Sequence, residues 1–590
     1  MACLRYNISS PSQSWVVSGG ALGVPRRSCS LLLSPALSAT SRFCMCMLSP
    51  TSAPMATTFM ATPLIRDNDA VLTYMRQAVV IPSEVDDSTK IRELRERTHQ
   101  ALRRITVPVE TMKLIDTLQR LGLGYNFEDE INALLKGFSA GHPDEDLLTT
   151  ALRFRLLRHN GYKTSTDVFH KFMDKNGEFK ELLSEDTLGM LSLYEASYLG
   201  AKGEDVLSKA MEFTKAHLKL SVLQMAPQLR RQVLQSLEIP RHLRMARLEA
   251  RRYIEEYSRE SDHNPTLLEV AKLEYNQVQS LHQMELAEVS RWWKQLGLVD
   301  KLSFARDRPL ECFLWTVGIL PEPKYSGCRI ELAKTIAILL VIDDIFDTYG
   351  PMNELVLFTD AIRRWDLDAM KELPEYMKIC YMALYNTTNE ICYKVLKEHG
   401  LSVLPYLKTT WIDMVEAFMV EANWFKTGHV PELEEYIENG VTTAGAYMAL
   451  VHVFFLIGQG VTEKNVKRLT KPYPKLFSSS GRILRIWDDL GTAKEEQERG
   501  DVASSVQLFM KEKNIQSEDE AREDILQLTQ NLWKELNGEL IAQKALPLPI
   551  IKASLNMSRA SQVVYQHEEE KYFSSVDNYV QSLFFTPIDF

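Results

Sequence analysis

The 590-residue chain has few helix breakers: 26 Gly and 24 Pro are spread over its whole length. Leu, Glu, Lys, Ala, Met and Arg dominate between them, which favours helix over strand and predicts a nearly all-helical protein. Basic residues are not in excess either. The 68 Lys+Arg face 78 Asp+Glu, for a net charge of −10, and this argues against a face for nucleic acid. The eight Cys show no CxxC pair and no Cys/His spacing, which excludes a zinc or disulfide framework and predicts small buried hydrophobes in a reducing compartment.

The first 66 residues lack Lys, Asp and Glu altogether, while carrying five Arg and twelve Ser. That composition predicts a transit peptide over 1–66, with an ordinary polar tail as the alternative. It points to the plastid, or to the cytosol if translation starts at Met55 or later. Beyond residue 66 no run of about 18 uninterrupted apolar residues occurs, so no membrane span is expected. No fixed-period repeat is present, which argues against a solenoid. At this length more than one domain is expected.

What remains is helical periodicity. Arg92–Arg104, Val107–Leu121, Asp144–His159, Gly189–Leu199 and Leu267–Leu296 repeat apolar residues at three-four spacing, as helices packed on one side do. Charged positions between Arg241 and Glu260 read as solvated faces. After Trp292-Trp293 the pattern changes. Ile336–Ile342 and Ala444–Ile457 are apolar nearly all round, as helices buried inside a large bundle are. The chain is therefore read as two helical domains, 67–295 and 296–590.

The second half carries the chemistry. In VIDDIFDTYG, Asp343 and Asp347 stand four residues apart, so a regular helix would converge their carboxylates. Converging like charges call for a cation, and oxygen-only ligands suit a hard divalent ion such as Mg²⁺. By itself this motif also fits a solvated helix terminus or a calcium site. In ILRIWDDLGTAKEEQERGD, Asp488, Thr492 and Glu496 fall at i, i+4 and i+8 and stack three oxygen donors along one stripe. Arg485 lies one turn earlier, where its guanidinium can hold a phosphate oxygen. Asp489, Glu495 and Glu498 read as ordinary surface charges. In FARDRPLECFLW, Arg306 and Arg308 suggest a loop that closes over an anion.

Taken together and in this order, these motifs resemble plant class I terpene synthases. Asp343–Asp347 matches the family's DDxxD, Asp488–Glu496 its (N/D)DxxTxxxE and Arg306–Arg308 its RxR. LGLGYNFEDEI (121–131), LRFRLLRHNGY (152–162) and Trp292-Trp293 resemble its helical N-terminal domain. The resemblance implies an all-α, two-domain fold: an N-terminal relict α-barrel and a C-terminal α-bundle containing the active site. It implies three Mg²⁺, with Mn²⁺ as an alternative, gripping the diphosphate of a prenyl substrate. Asp343, Asp347, Asp488, Thr492 and Glu496 would be metal ligands, and Arg306, Arg308 and Arg485 diphosphate contacts. Asp344 would support the ligands from behind. Trp315, Tyr447 and Tyr565 occupy family positions for pocket aromatics that stabilise a carbocation, although each also fits plain core. Tyr565 is additionally placed, with Arg306 and Arg308, among the catalytic groups. Thr442, Thr443 and Gly445 interrupt an apolar helix where the family kinks.

Departures from the family pattern narrow the reading. The tandem-Arg motif RRx8W is absent, since Arg26-Arg27 has Ala36 where Trp should stand. Ser504 replaces a Lys common in relatives, and VYQHEEEKYF (564–573) is Glu-rich. No DxDD occurs, which disfavours protonation-initiated cyclisation. The pattern resembles the subgroup making acyclic tertiary alcohols: linalool from geranyl diphosphate and nerolidol from farnesyl diphosphate. The alternatives are an olefin such as ocimene or myrcene, a cyclic product, or a silent helical isoprenoid-binding protein. The expected assembly is a monomer or weak homodimer.

Overall fold

Helix termini are set by local chemistry. In the computed structural model, which describes residues 84–139, 145–499, 504–542, 546–566 and 576–590, the first half runs through α1 (Glu84–Arg104), α2 (Pro108–Arg120), α3 (Glu128–Gly137), α4 (Leu147–His159), α5 (Thr187–Ser197), α6 (Asp205–Ser221), α7 (Pro227–Glu238), α8 (Ala246–Tyr257) and α9 (Pro265–Leu296). Asp146 caps α4, its Oδ1 accepting from Thr149 N at 2.7 Å. Asn264 caps the 32-residue α9, with Pro265 opening it and Gly297 (φ 62°) ending it in the left-handed conformation that glycine adopts without a Cβ penalty. Among the described residues there is no strand, only an isolated bridge between Met173 and Phe179. The expected transit segment and Met55 lie outside the described residues.

The charged run after Arg241 is solvated only in part: Glu255 and Arg259 are exposed, while its other charged members are buried or half-buried. Glu249 receives Arg120 (3.1 Å), Arg244 (2.9 Å) and Arg252 (2.6 Å), and Arg247 is buried with its guanidinium over the Tyr275 ring. The correction has a plain cause: carboxylates and guanidiniums in alternation satisfy one another, so the face can be buried without orphaning a charge. Asp116 belongs to the same layer. Burial raises its carboxyl pKa, but Arg155, Arg241 and Arg120 overcome this and hold it down at about 2.

The second half comprises α10 (Pro309–Ile319), α11 (Ser326–Asp344), α12 (Met352–Arg364), α13 (Glu375–His399), α14 (Leu404–Thr427), α15 (Leu433–Thr443), α16 (Ala446–Ile457), α17 (Lys475–Arg499), α18 (Ser505–Lys513), α19 (Glu518–Ala542) and α20 (Leu548–Tyr565). Its centre is α11 and α16. Every residue of α11 from Arg329 to Asp344 is buried, as is all of α16 except Tyr447. The stretch Leu433–Ile457 is long and apolar enough to cross a bilayer, which sequence reading had not expected. Gly445 (φ 74°) breaks it into two helices, and 89% of its apolar window is buried inside the bundle. A Cβ at Gly445 would stand 2.4 Å from Leu339 Cδ1, so glycine permits both the turn and the close approach to α11.

The halves are tied together through α9. Arg329, fully buried, forms a bidentate pair with Glu285 (2.6 and 2.8 Å) and donates to the Leu320 and Glu322 carbonyls at 2.8 and 2.7 Å. Lys272, Asn276, Gln279 and Gln283, spaced along one face of α9, hold backbone carbonyls between Ser582 and Asp589. Cys312, Cys380 and Cys392 are buried and Cys328 half-buried, all as free thiols, as their lack of spacing implied.

Candidate active site

Two acidic stretches lie on helices of this bundle. The first is the end of α11 with the loop before α10. Asp343 has no exposed surface. One of its oxygens pairs with Arg306 Nη2 at 2.5 Å, while Oδ1 accepts no hydrogen bond. Asp344 takes Arg306 Nε at 2.7 Å and the Arg306 backbone N–H at 3.2 Å. Burial pushes the Asp344 carboxyl up to about 6, with Asp343 adding to the rise and Arg306 opposing it. Asp344 thus anchors Arg306 beneath Asp343.

Asp347 is placed differently from its neighbours. The α-helix ends at Asp344 and continues as a wider π-turn, Ile345–Tyr349, in which a spacing of four no longer repeats the same face. Asp347 is exposed while Asp343 is buried, so the regular-helix stacking read from the sequence is not what forms. Arg308 pairs with Glu311 at 2.8 Å. A narrow cleft between α10 and α11 is lined by Arg306, Arg308, Glu311, Cys312, Trp315 and Leu340.

The second stretch is on α17. Arg485 reaches Asp488 at 2.8 Å and Asp489 at 2.5 Å. Asp488 is fully buried and its Oδ1 accepts no hydrogen bond. Thr492 is buried one turn on and donates to the Asp488 carbonyl at 2.8 Å. Glu496 continues the helix, its side chain lying outside the described ones. Asp489 corrects the reading of it as a surface charge. It is fully buried and accepts from Tyr436 OH (3.1 Å), Arg485 Nε (2.8 Å) and the Ser505 N–H (2.7 Å). Burial and Asp488 raise its pKa, and Arg485 opposes them. Ser504, which stands where Lys is common in relatives, caps α18.

Of the aromatic candidates, the structure brings two together. Trp315 and Tyr565 lie 5.9 Å apart, both nearly fully buried. A Cβ on Gly491, between Asp488 and Thr492, would stand 2.7 Å from the Tyr565 carbonyl; glycine here lets α20 touch α17. Tyr447 stands apart, stacked on Tyr473 at 4.2 Å, because the register that buries the rest of α16 turns this residue to the neighbouring loop. The Glu-rich segment 567–573 lies outside the described residues.

Sequence reasoning missed Glu421. It stands on α14 and accepts from Asn439 (3.0 Å) and Thr443 (2.9 Å), and its pKa, raised by burial to about 7, is affected by both Arg485 and Asp343. The available signal was a carboxylate continuing the apolar stripe of Leu407, Trp411, Met414 and Phe418.

The donor set fits a hard divalent ion. Among the described residues no three carboxylate, imidazole or thiol groups form a ready-made cage. Mg²⁺ does not need one, since it binds through one or two carboxylates and takes its remaining oxygens from water and phosphate. Asp343 Oδ1 and Asp488 Oδ1 are buried acceptors of that kind.

Comparison with known proteins agrees. Residues 68–237 match the family model for the terpene synthase N-terminal domain, and residues 294–535 match that for the terpene synthase family metal binding domain. The chain belongs to the plant terpene synthase family. This synthase is 69% identical to monoterpene synthase TPS4 of Cananga odorata (99% of this chain, 98% of the relative). It is 62% identical to geraniol synthase (92% and 94%) and 56% identical to R-linalool synthase (100% of both), each from Ocimum basilicum. All three relatives are named chloroplastic. Isoprene synthase from grey poplar, solved with three Mg²⁺ ions and dimethylallyl-S-thiolodiphosphate, superposes with a TM-score of 0.80 at 39% identity, over 88% of this chain and 99% of that one. The two-domain α-helical fold expected from the motifs is therefore the observed one.

Proposed function

We propose that this terpene synthase converts geranyl diphosphate into the acyclic tertiary alcohol linalool, and farnesyl diphosphate into nerolidol, in the plastid. The observation that carries the ionisation step is the pair of buried, hydrogen-bond-free carboxylate oxygens, Asp343 Oδ1 and Asp488 Oδ1, each backed by an arginine. Asp347, Thr492 and Glu496 complete the proposed ligand set. Mg²⁺, when bound, neutralises charge on the departing diphosphate.

The chain's own residues supply the rest. Arg306, Arg308 and Arg485 present guanidiniums to the phosphate oxygens, and in a site shielded from water they are worth more than in solvent. The C1–O bond breaks with its electron pair leaving on the diphosphate. The apolar walls from α10, α11 and α16 keep bulk water from the allylic cation, and the Trp315 and Tyr565 ring faces offer about 0.5 to 2 kcal/mol of cation–π stabilisation each. One admitted water attacks the tertiary carbon and passes a proton to the released diphosphate, so no ring closes.

Geraniol is the second reading, favoured by the 62% identical relative of that activity; there water attacks C1 instead. The test is to incubate the protein with geranyl and farnesyl diphosphates and Mg²⁺ and to separate products by chiral gas chromatography. Linalool as the main product from geranyl diphosphate supports the proposal. Mainly geraniol moves the water to C1, and mainly hydrocarbon refutes an alcohol-forming pocket.

A further inference from the structure

Glu421 belongs to none of the three motifs, yet it joins the elements that carry them. Its Oε1 accepts from Asn439 Nδ2 at 3.0 Å and from Thr443 Oγ1 at 2.9 Å, two donors one turn apart on α15. Asn439 Nδ2 also donates to the Ala417 carbonyl at 3.1 Å, so α15 is tied to α14 at two levels. Between the donors lies Gly440. A Cβ there would stand 2.4 Å from Arg485 Cδ and 2.8 Å from Arg485 Cγ, which means the stem of Arg485 runs across the bare backbone of α15. From that seat its head reaches Asp488 and Asp489. The axial position of α15 therefore decides where the guanidinium sits.

We infer that Glu421 is a positioning residue: by holding Asn439 and Thr443 it fixes α15 under Arg485, and so sets the affinity of the site for the diphosphate group of the substrate. This rests on the proposed reading of Arg485 as a diphosphate contact. The carboxylate touches neither substrate nor ligand in this role. Its two hydrogen bonds converge on one oxygen, so a glutamine carbonyl can replace it, whereas alanine leaves two donors without their acceptor.

The test is calorimetric binding of inorganic diphosphate, with Mg²⁺, to the full chain and its variants. Arg485→Met and Glu421→Ala are both expected to weaken binding about tenfold or more, while Glu421→Gln stays within about threefold of the parent. Steady-state kinetics should show Glu421→Ala acting mainly on KM, a split that simple loss of folded protein would not give. The double variant Asn439→Ala/Thr443→Val removes the donors and leaves Glu421 in place; it should match Glu421→Ala, and it carries the test if that variant does not fold. Parent-like binding by Arg485→Met would remove the underlying reading and the inference with it. Parent-like binding by Glu421→Ala or the double variant, alongside a weakened Arg485→Met, overturns the inference alone. Equal weakening by Glu421→Gln and Glu421→Ala would also overturn it, because charge rather than the clamp would then matter.

Discussion

Glu285→Leu isolates a charge at the joint between the two halves. Arg329 is fully buried and Glu285 nearly so, and Arg329 sits in the first turns of the helix that ends at Asp344. Removing one partner of a buried pair costs about 3 to 5 kcal/mol, because the survivor is left uncompensated. For roughly 500 ordered residues at about 2.1 cal/mol/K each, the unfolding entropy is about 1 kcal/mol/K, so the expected fall in Tm is about 3 to 5 °C. Arg329→Met should cost at least as much, since the Leu320 and Glu322 carbonyls lose their donors too. Replacing both partners by apolar groups removes the stranded charge and leaves only the two carbonyls unfilled, at about 1 to 3 kcal/mol each. The double variant Glu285→Leu/Arg329→Met is therefore expected to melt above the sum of the single losses by at least about 2 °C in scanning calorimetry. Additive losses would refute the argument that an uncompensated buried charge dominates at this joint.

Asp343→Ala and Glu496→Ala should each abolish turnover while leaving far-UV circular dichroism unchanged; loss of helicity with activity retained in the folded fraction would contradict the ligand assignment. Removing divalent ions with a chelator should stop product formation, and added Mg²⁺ should restore it, as gas chromatography of the products would show. Gly491→Ala places a Cβ 2.7 Å from the Tyr565 carbonyl. Because the obstacle is backbone, the expected cost is about 1 to 3 kcal/mol, read as a lower Tm together with a changed product ratio. Asp116 has a folded pKa of about 2, below its ordinary value of 3.8. Its contribution is present above about pH 4 and is lost as pH falls towards 2; Asp116→Asn should flatten the stability profile in that window by on the order of 2 kcal/mol.

Much of the second half is legible in the residues alone. An apolar helix running into Asp343 and Asp344, and Arg485 one turn before Asp488, specify their elements locally, because helical periodicity and capping act over a few residues. The same reasoning assigned Asp489 and the Arg241–Glu260 run to the surface. Composition records that a residue is charged, but not whether a partner from another helix will meet it. Asp347 shows a second gap: its spacing fits a regular helix, and only the packed bundle shows a π-turn that leaves it exposed beside a buried Asp343.

The sequence by itself determined the helical fold class, the two acidic motifs and their arginines, since each depends on neighbours within a turn or two. Only the tertiary structure decided that Asp343 Oδ1 and Asp488 Oδ1 are left without hydrogen bonds, that Trp315 meets Tyr565 while Tyr447 does not, and that Glu421 seats Arg485 through α15. Those outcomes depend on side chains brought together from far apart in the chain, where burial makes an unmatched charge costly and so selects which partners must meet.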